Sequence, residues 1–181
     1  DWTSVVFLDQ SSMGAQSPRR AICPMGVKPP YTHLNKRQPL VHFMAWISAD
    51  GKKSHLRFLP KGATWTGKVV LKQCRGLCRA GITVVLDGAS VHGPLKAALV
   101  AAGAHVLPHP PYSPDLNPIE NLWGTLKRKV ALVGPLPPDK LAKALQACWK
   151  EIKPAEFKPY AASMRGRLQA VIDSGGEHTT Y

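Results

Sequence analysis

The sequence predicts an α/β domain built on a mixed five-stranded sheet flanked by helices. Three observations lead there. Two apolar, β-branched runs, residues 4–9 and 82–87, each read as a buried strand ending in a carboxylate. Two further strand patterns, at 40–48 and 55–59, flank Ala49-Asp50-Gly51, a strong hairpin turn signal. After residue 60, helical and strand patterns alternate, as they do where crossovers join parallel strands.

In order, Ser4-Val5-Val6-Phe7-Leu8-Asp9 is the first strand, followed by a loop rich in Pro, Gly and Arg to about Gln38. Residues 40–48 form the second strand, and 55–59 return as the third. Residues 67–80 carry Val70, Leu71, Cys74, Leu77 and Cys78 at helical spacing, with Gly81 as the stop. Residues 82–87 are the fourth strand, 95–102 a short helix stopped by Gly103, and 105–107 the fifth strand. A Pro-rich loop at 109–114 leads into an amphipathic helix at 117–130, with Ile119, Leu122, Trp123, Leu126 and Val130 on one face. Two more helices are expected at about 137–151 and 155–172. No repeat or linker divides the chain, so 1–181 is read as a single domain. The helix after the hairpin is the expected crossover, bringing 82–87 beside 4–9 and parallel to it.

Charge supplies the first functional indication. Lys and Arg number 24 against 11 Asp and Glu, a formal net charge of +13. Such an excess favours a polyanion, whose condensed counterions are released on binding, and points to nucleic acid. A solubilising surface or a basic scaffold in an RNA–protein assembly is the plainer alternative. No stretch approaches the roughly 20 apolar residues of a membrane span, so no membrane partner is expected. Asp1-Trp2-Thr3 has neither an initiator Met nor a basic leader pattern, and the chain is expected to be a processed protein or a piece of a longer one. Cys23 and Cys148 are isolated, and Cys74 and Cys78 lack the partners of a zinc site, so all four are expected to be free, buried thiols.

The acids carry the chemistry. If the 4–9 and 82–87 strands are parallel neighbours, Asp9 and Asp87 lie side by side at the carboxyl edge of the sheet, where open α/β sheets bind ligands. Two close carboxylates repel unless a proton or a divalent cation intervenes. Either one alone reads better as a turn residue; the pair, with a third acid downstream, reads as a metal site. The third acid is Glu120. Asn117, Pro118 and Glu120 also have the spacing of an N-cap, first helical residue and capping box, so local sequence leaves Glu120 evenly divided between capping and metal.

Pro111-Tyr112-Ser113-Pro114-Asp115-Leu116-Asn117-Pro118-Ile119-Glu120-Asn121-Leu122-Trp123 resembles the signature of mariner-type (Tc/mariner superfamily) DDE transposases. Leu86-Asp87-Gly88-Ala89-Ser90-Val91-His92 resembles that family's second motif, and Phe7-Leu8-Asp9-Gln10-Ser11 its first. The tail from Ser163 to Ile172 resembles the family's C-terminus. The resemblance implies the catalytic domain of a cut-and-paste transposase with an RNase H-like fold. It implies Asp9, Asp87 and Glu120 as a catalytic, metal-holding triad with two Mg²⁺ or Mn²⁺ ions per site. Asp9 would bridge the ions, with Asp87 and Glu120 each holding one. Between Asp87 and Glu120 lie 32 residues, a couple fewer than the family's usual interval. Gln10 stands where the family usually has Glu, and Gly88 where it usually has Asn, removing a side chain that would orient Asp87.

The implied partners are double-stranded DNA, as transposon ends and as target, and further copies of the chain in a homodimer or larger synaptic complex. Integration at TA steps, which kink cheaply, is implied as well. Lys127, Arg128 and Lys129, on the polar side of the Glu120 helix, are candidate DNA contacts, evenly matched by a solvated helix face. His92 is a weaker candidate for substrate contact or helix capping, and Trp123 reads as core. The family's N-terminal helix-turn-helix region has no counterpart in this chain, so DNA binding is expected to show little sequence preference. Localisation is expected to be nuclear in a eukaryote and otherwise cytoplasmic, with the chromosome. Two competing readings keep the fold: a domesticated, catalytically impaired DNA-binding protein, and another RNase H-like nuclease.

Overall fold

The computed structural model describes residues 2–14, 39–60 and 62–181. The strands are β1 (Val6–Gly14), β2 (Leu40–Ser48), β3 (Arg57–Phe58), β4 (Thr83–Val85) and β5 (His105–Leu107). The helices are α1 (Gly67–Cys74), α2 (Gly93–Ala101), α3 (Pro118–Val133), α4 (Pro138–Glu151), α5 (Pro154–Ala162) and α6 (Met164–Asp173). The sheet order is β3-β2-β1-β4-β5. β1–β2 and β2–β3 are antiparallel, while β1–β4 and β4–β5 are parallel. This is the mixed five-stranded sheet expected from the sequence, with the fourth strand beside and parallel to the first.

Strand alternation builds two core layers. In β1, Phe7 joins Phe43, Ala45 and Ile47 of β2 in packing against α3, α4 and α5. Val6 and Leu8 face the other way, with Met44 and Val84, against α1 and α2. Successive side chains on a strand point to opposite faces, so Asp9 shares the face of Phe7 and is aimed at α3. Val85 belongs to the α3 layer and Val84 to the other. By the same parity Asp87 also turns toward α3.

Several boundaries differ from expectation, each for a physical reason. β1 runs on through Gln10-Ser11-Ser12-Met13-Gly14, because its backbone stays paired with β2 as far as Gly14 opposite Leu40. The expected loop therefore begins later, and its remainder, residues 15–38 with Cys23, lies outside the described residues. The third strand shrinks to two residues. Ser54 N and Oγ bond to Trp46 O and N, and only Arg57 and Phe58 then rejoin the ladder, opposite Met44 and Phe43. α1 ends at Cys74 and tightens into a 3-10 turn at Arg75–Leu77 containing Gly76, a poor helix former. β4 is three residues long, so Asp87 lies two residues beyond its end. The last expected helix is two, α5 and α6. Ser163 divides them, its hydroxyl donating to Tyr160 O and accepting from Arg167 Nε. Cys74 and Cys148 are buried free thiols, whereas Cys78 is only half-buried.

Candidate active site

Asp9, Asp87 and Glu120 line one cleft of about 450 Å³. Asn117 and the 109–114 loop form its other wall. The shared register explains why the two aspartates reach the same cleft. Phe7 pairs with Val85, and each aspartate lies two residues further along its own strand direction.

Asp9 is 7% exposed and buried at the foot of α3. The indole Nε1–H of Trp123 donates to Asp9 Oδ2 at 3.2 Å. Burial first, then the neighbouring Glu120 carboxylate, raises Asp9 to about 8. The backbone and Trp123 donors oppose that rise without cancelling it. Asp9 thus faces a second acid where its own burial already penalises charge, and a shared proton or a cation relieves it.

Glu120 is not engaged in a capping box. Asn117 makes no side-chain cap bond, and its Oδ1 is buried without a partner. Glu120 N instead donates to Asn117 O at 3.0 Å, and Asn117 N donates to Pro114 O. Backbone bonds therefore start the helix, and the Glu120 side chain is left to face Asp9.

Asp87 is held differently. Its Oδ1 accepts from Ala89 N at 3.0 Å and lies 2.5 Å from His92 Nδ1. The His92 contact is close but poorly directed. His92 first, then the Ala89 N–H, holds Asp87 below the ordinary carboxylate range against its burial. His92 is itself 1% exposed, and its Nε2 meets Gln10 Nε2 at 3.0 Å. An amide donor at Gln10 suits a neutral imidazole whose proton sits on Nδ1, toward Asp87. Buried in this way, His92 lies against Asp87 with almost none of its surface exposed. Gly88 has open space where a side chain would begin.

Among the described residues, no group of three or more His, Cys, Asp or Glu side chains encloses a metal position as it stands. The donor set nevertheless fits a hard divalent cation, with oxygen ligands only, two of them pressed together and a third on the same cleft. Of the basic candidates, Arg128 is exposed and Lys127 half-exposed, whereas Lys129 is tied to Glu156 at 2.9 Å.

Two features were not read from sequence. One is the Trp123 indole as a donor to Asp9; a buried indole N–H needs a partner, which was the available signal. The other is a brace behind Glu120. Arg167, 1% exposed, donates from Nη1 to Asp115 O and from Nη2 to Asn121 Oδ1 at 2.7 Å. Asp115 Oδ2 accepts from Thr179 N and Oγ1, tying the tail to the turn before α3. These residues lie 46 to 64 positions apart, beyond the reach of local pattern.

A sequence-family profile described as DDE superfamily endonuclease matches residues 4–135. The Tc1 transposase of Caenorhabditis elegans is 40% identical over 77 residues, 42% of this chain and 28% of that protein. The Tc3 transposase of the same organism is 27% identical over 201 aligned positions, spanning 100% of this chain and 59% of that protein. The chain thus spans less than two thirds of the length of these relatives. Among solved structures, the Mos1 mariner paired-end complex with Mn superposes with a TM-score of 0.82 at 19% identity, covering 98% of this chain and 57% of that one. The catalytic domain of Mos1 mariner transposase gives 0.74 at 16% identity, covering 98% and 85%. The fold is RNase H-like, as the sequence resemblance implied.

Proposed function

Because the chain belongs to the DDE superfamily endonuclease family, we propose that it is the catalytic domain of a cut-and-paste DNA transposase. Asp9, Asp87 and Glu120 are its catalytic acids and its metal ligands. The observation that carries this reading is the cleft itself, which acids from three distant segments line and in which the buried Asp9 lies against the Glu120 carboxylate. The cofactor is Mg²⁺, or Mn²⁺ in its place, with two ions per site. Mos1 transposase structures described with Mg and with Mn support that choice.

Bound divalent cations would lower the pKa of the attacking oxygen and offset charge on the leaving one. The chain's own residues do the rest. Asp9, held by Trp123, is the buried fixed point. Asp87 is aimed by His92 and Gln10, and Glu120 closes the cleft from the first turn of α3. In the first reaction water attacks the phosphodiester at a transposon end. A bond from the water oxygen to phosphorus forms, the bond to the 3′ oxygen breaks, and that oxygen takes up a proton. In the second, the freed 3′-hydroxyl attacks a target phosphodiester, joining the strands and releasing a target 3′-hydroxyl. TA steps are the target, for which low deformation energy is the physical support.

Double-stranded DNA is the partner, with Arg128 and Lys127 the flanking contacts on α3. Two or more copies assemble in the synaptic complex, as the Mos1 paired-end complexes suggest by their descriptions. In a eukaryote the protein works in the nucleus, and otherwise beside the chromosome in the cytoplasm. The test is a plasmid assay with Mn²⁺ and a TA-containing target. Nicking and strand-transfer products are expected from the wild-type chain and neither from Asp87→Asn. Nicking without joining would favour another nuclease of this fold. DNA binding with neither product would favour an impaired DNA-binding relic, whose case rests on Gln10 and Gly88.

A further inference from the structure

From residue 51 to residue 86 the chain has eight Lys and Arg and no acid. Four of these cations, Lys68, Lys72, Arg75 and Arg79, are exposed on α1 and the turn after it. At 100° per residue, Lys68, Lys72 and Arg75 fall within an arc of about 60°. Val70, Cys74 and Leu77 take the opposite side and are buried against the sheet. Among the described residues none of the four has a salt bridge, unlike Lys52 and Lys129, which are paired with Asp50 and Glu156. Lys68, Lys72 and Arg75 line a groove of about 410 Å³ together with Leu71, Cys78 and Ala98.

The stripe has a fixed relation to the cleft. A Cβ on Gly67 would collide with the Pro94 ring, so the first turn of α1 rests directly on the first turn of α2. α2 in turn follows the Asp87–His92 turn, and α1 also packs on residues 90–92. The stripe therefore begins beside the segment that holds Asp87 and leads away from it. At 1.5 Å per residue, Lys68 to Arg75 spans about 10 Å, the length of roughly three nucleotides of one strand at 3.4 Å each.

We propose that the face of α1 bearing Lys68, Lys72 and Arg75 is a second duplex-DNA contact, a phosphate track outside the catalytic cleft. It rests on the DNA reading above and names a surface that reading does not use. Exposed cations without salt bridges suit phosphates of any sequence, because they release counterions without having to break ion pairs first.

The experiment compares Lys68→Ala/Lys72→Ala/Arg75→Ala with a control of equal charge change on α4, Lys140→Ala/Lys143→Ala/Lys150→Ala, all exposed positions. Binding to a short duplex of arbitrary sequence is measured across about 50 to 200 mM salt. The slope of log K against log salt is expected to fall by up to about 2.7 for the α1 set, at about 0.9 per phosphate, and by much less for the α4 set. Melting temperature and cleavage at saturating DNA should be unchanged in the α1 set. Equal losses in both sets would show that only bulk charge matters and overturn the proposal. An unchanged slope in the α1 set, or a loss confined to phosphatidylserine vesicles, would overturn it too. Should the wild-type chain fail to cleave while the α1 set still loses slope, the catalytic reading falls and this surface stands.

Discussion

Asp9→Asn should abolish catalysis and yet stabilise the metal-free protein at neutral and alkaline pH. Asp9 is raised from 3.8 to about 8 by burial and by Glu120. Between those values the folded chain holds a proton that the unfolded chain has released. Stability from this group is therefore greatest below the unfolded value and is lost as pH rises toward 8. At about 1.4 kcal/mol per unit, a rise of roughly four units bounds the loss at about 6 kcal/mol, and relaxation around the charge leaves a few. Asparagine reproduces the protonated acid, accepting from Trp123 through its oxygen and donating to Glu120 through its amide. The assay is thermal melting in EDTA at pH 5 and pH 8, for wild type and variant. For a chain of this length each kcal/mol moves the midpoint by about 2–4 °C, so wild type should lose roughly 5–10 °C more than the variant. Mn²⁺ should restore wild type at pH 8 and leave the variant unmoved. Parallel pH dependence in the two proteins would refute the reasoning, because groups other than Asp9 are common to both.

Asp87→Asn should stop cleavage but leave duplex binding intact or slightly tighter, since it removes a ligand and a negative charge facing phosphate; weakened binding in a filter assay would count against a cleft that holds DNA. Gly88→Asn should fold normally, because nothing lies within 4 Å of the new Cβ. It should gain about 0.4–1 kcal/mol from the stiffer unfolded chain, and a lower melting point would contradict the open space found there. Arg167→Lys keeps the charge but cannot serve Ser163, Asp115 O and Asn121 together, and should cost about 1–3 kcal/mol in urea unfolding. An unchanged midpoint would remove Arg167 as the brace behind Glu120.

How much was legible in the sequence follows from what each interaction depends on. Strand parity and order are local and topological, so 40–48 and 105–107 were read to the residue and the placing of Asp9 and Asp87 on one cleft followed from the crossover. The extension of β1 was hidden, because Gln10, Ser11 and Ser12 are polar while the backbone does the pairing with β2. The start of α3 was ambiguous because Asn117, Pro118 and Glu120 satisfy a capping pattern that backbone bonds had already made unnecessary. Gln10 looked like a simple departure from a family motif. Its contact with His92, which in turn orients Asp87, needs 82 residues of chain to fold back. Trp123 was read as core, and it is buried, but its second role depends on the facing strand.

The central claim is that Glu120 completes a metal-dependent site with Asp9 and Asp87, and Glu120→Gln tests it most directly. Gln suits the third position of a capping box as well as Glu does, so a capping role would survive the change. The measurement is melting with and without Mn²⁺ beside plasmid nicking, on the same preparation. The account predicts a folded protein with no loss of metal-free stability, a smaller Mn²⁺ shift than wild type, and no nicking. A Glu120→Gln protein with the full Mn²⁺ shift and wild-type nicking would contradict it.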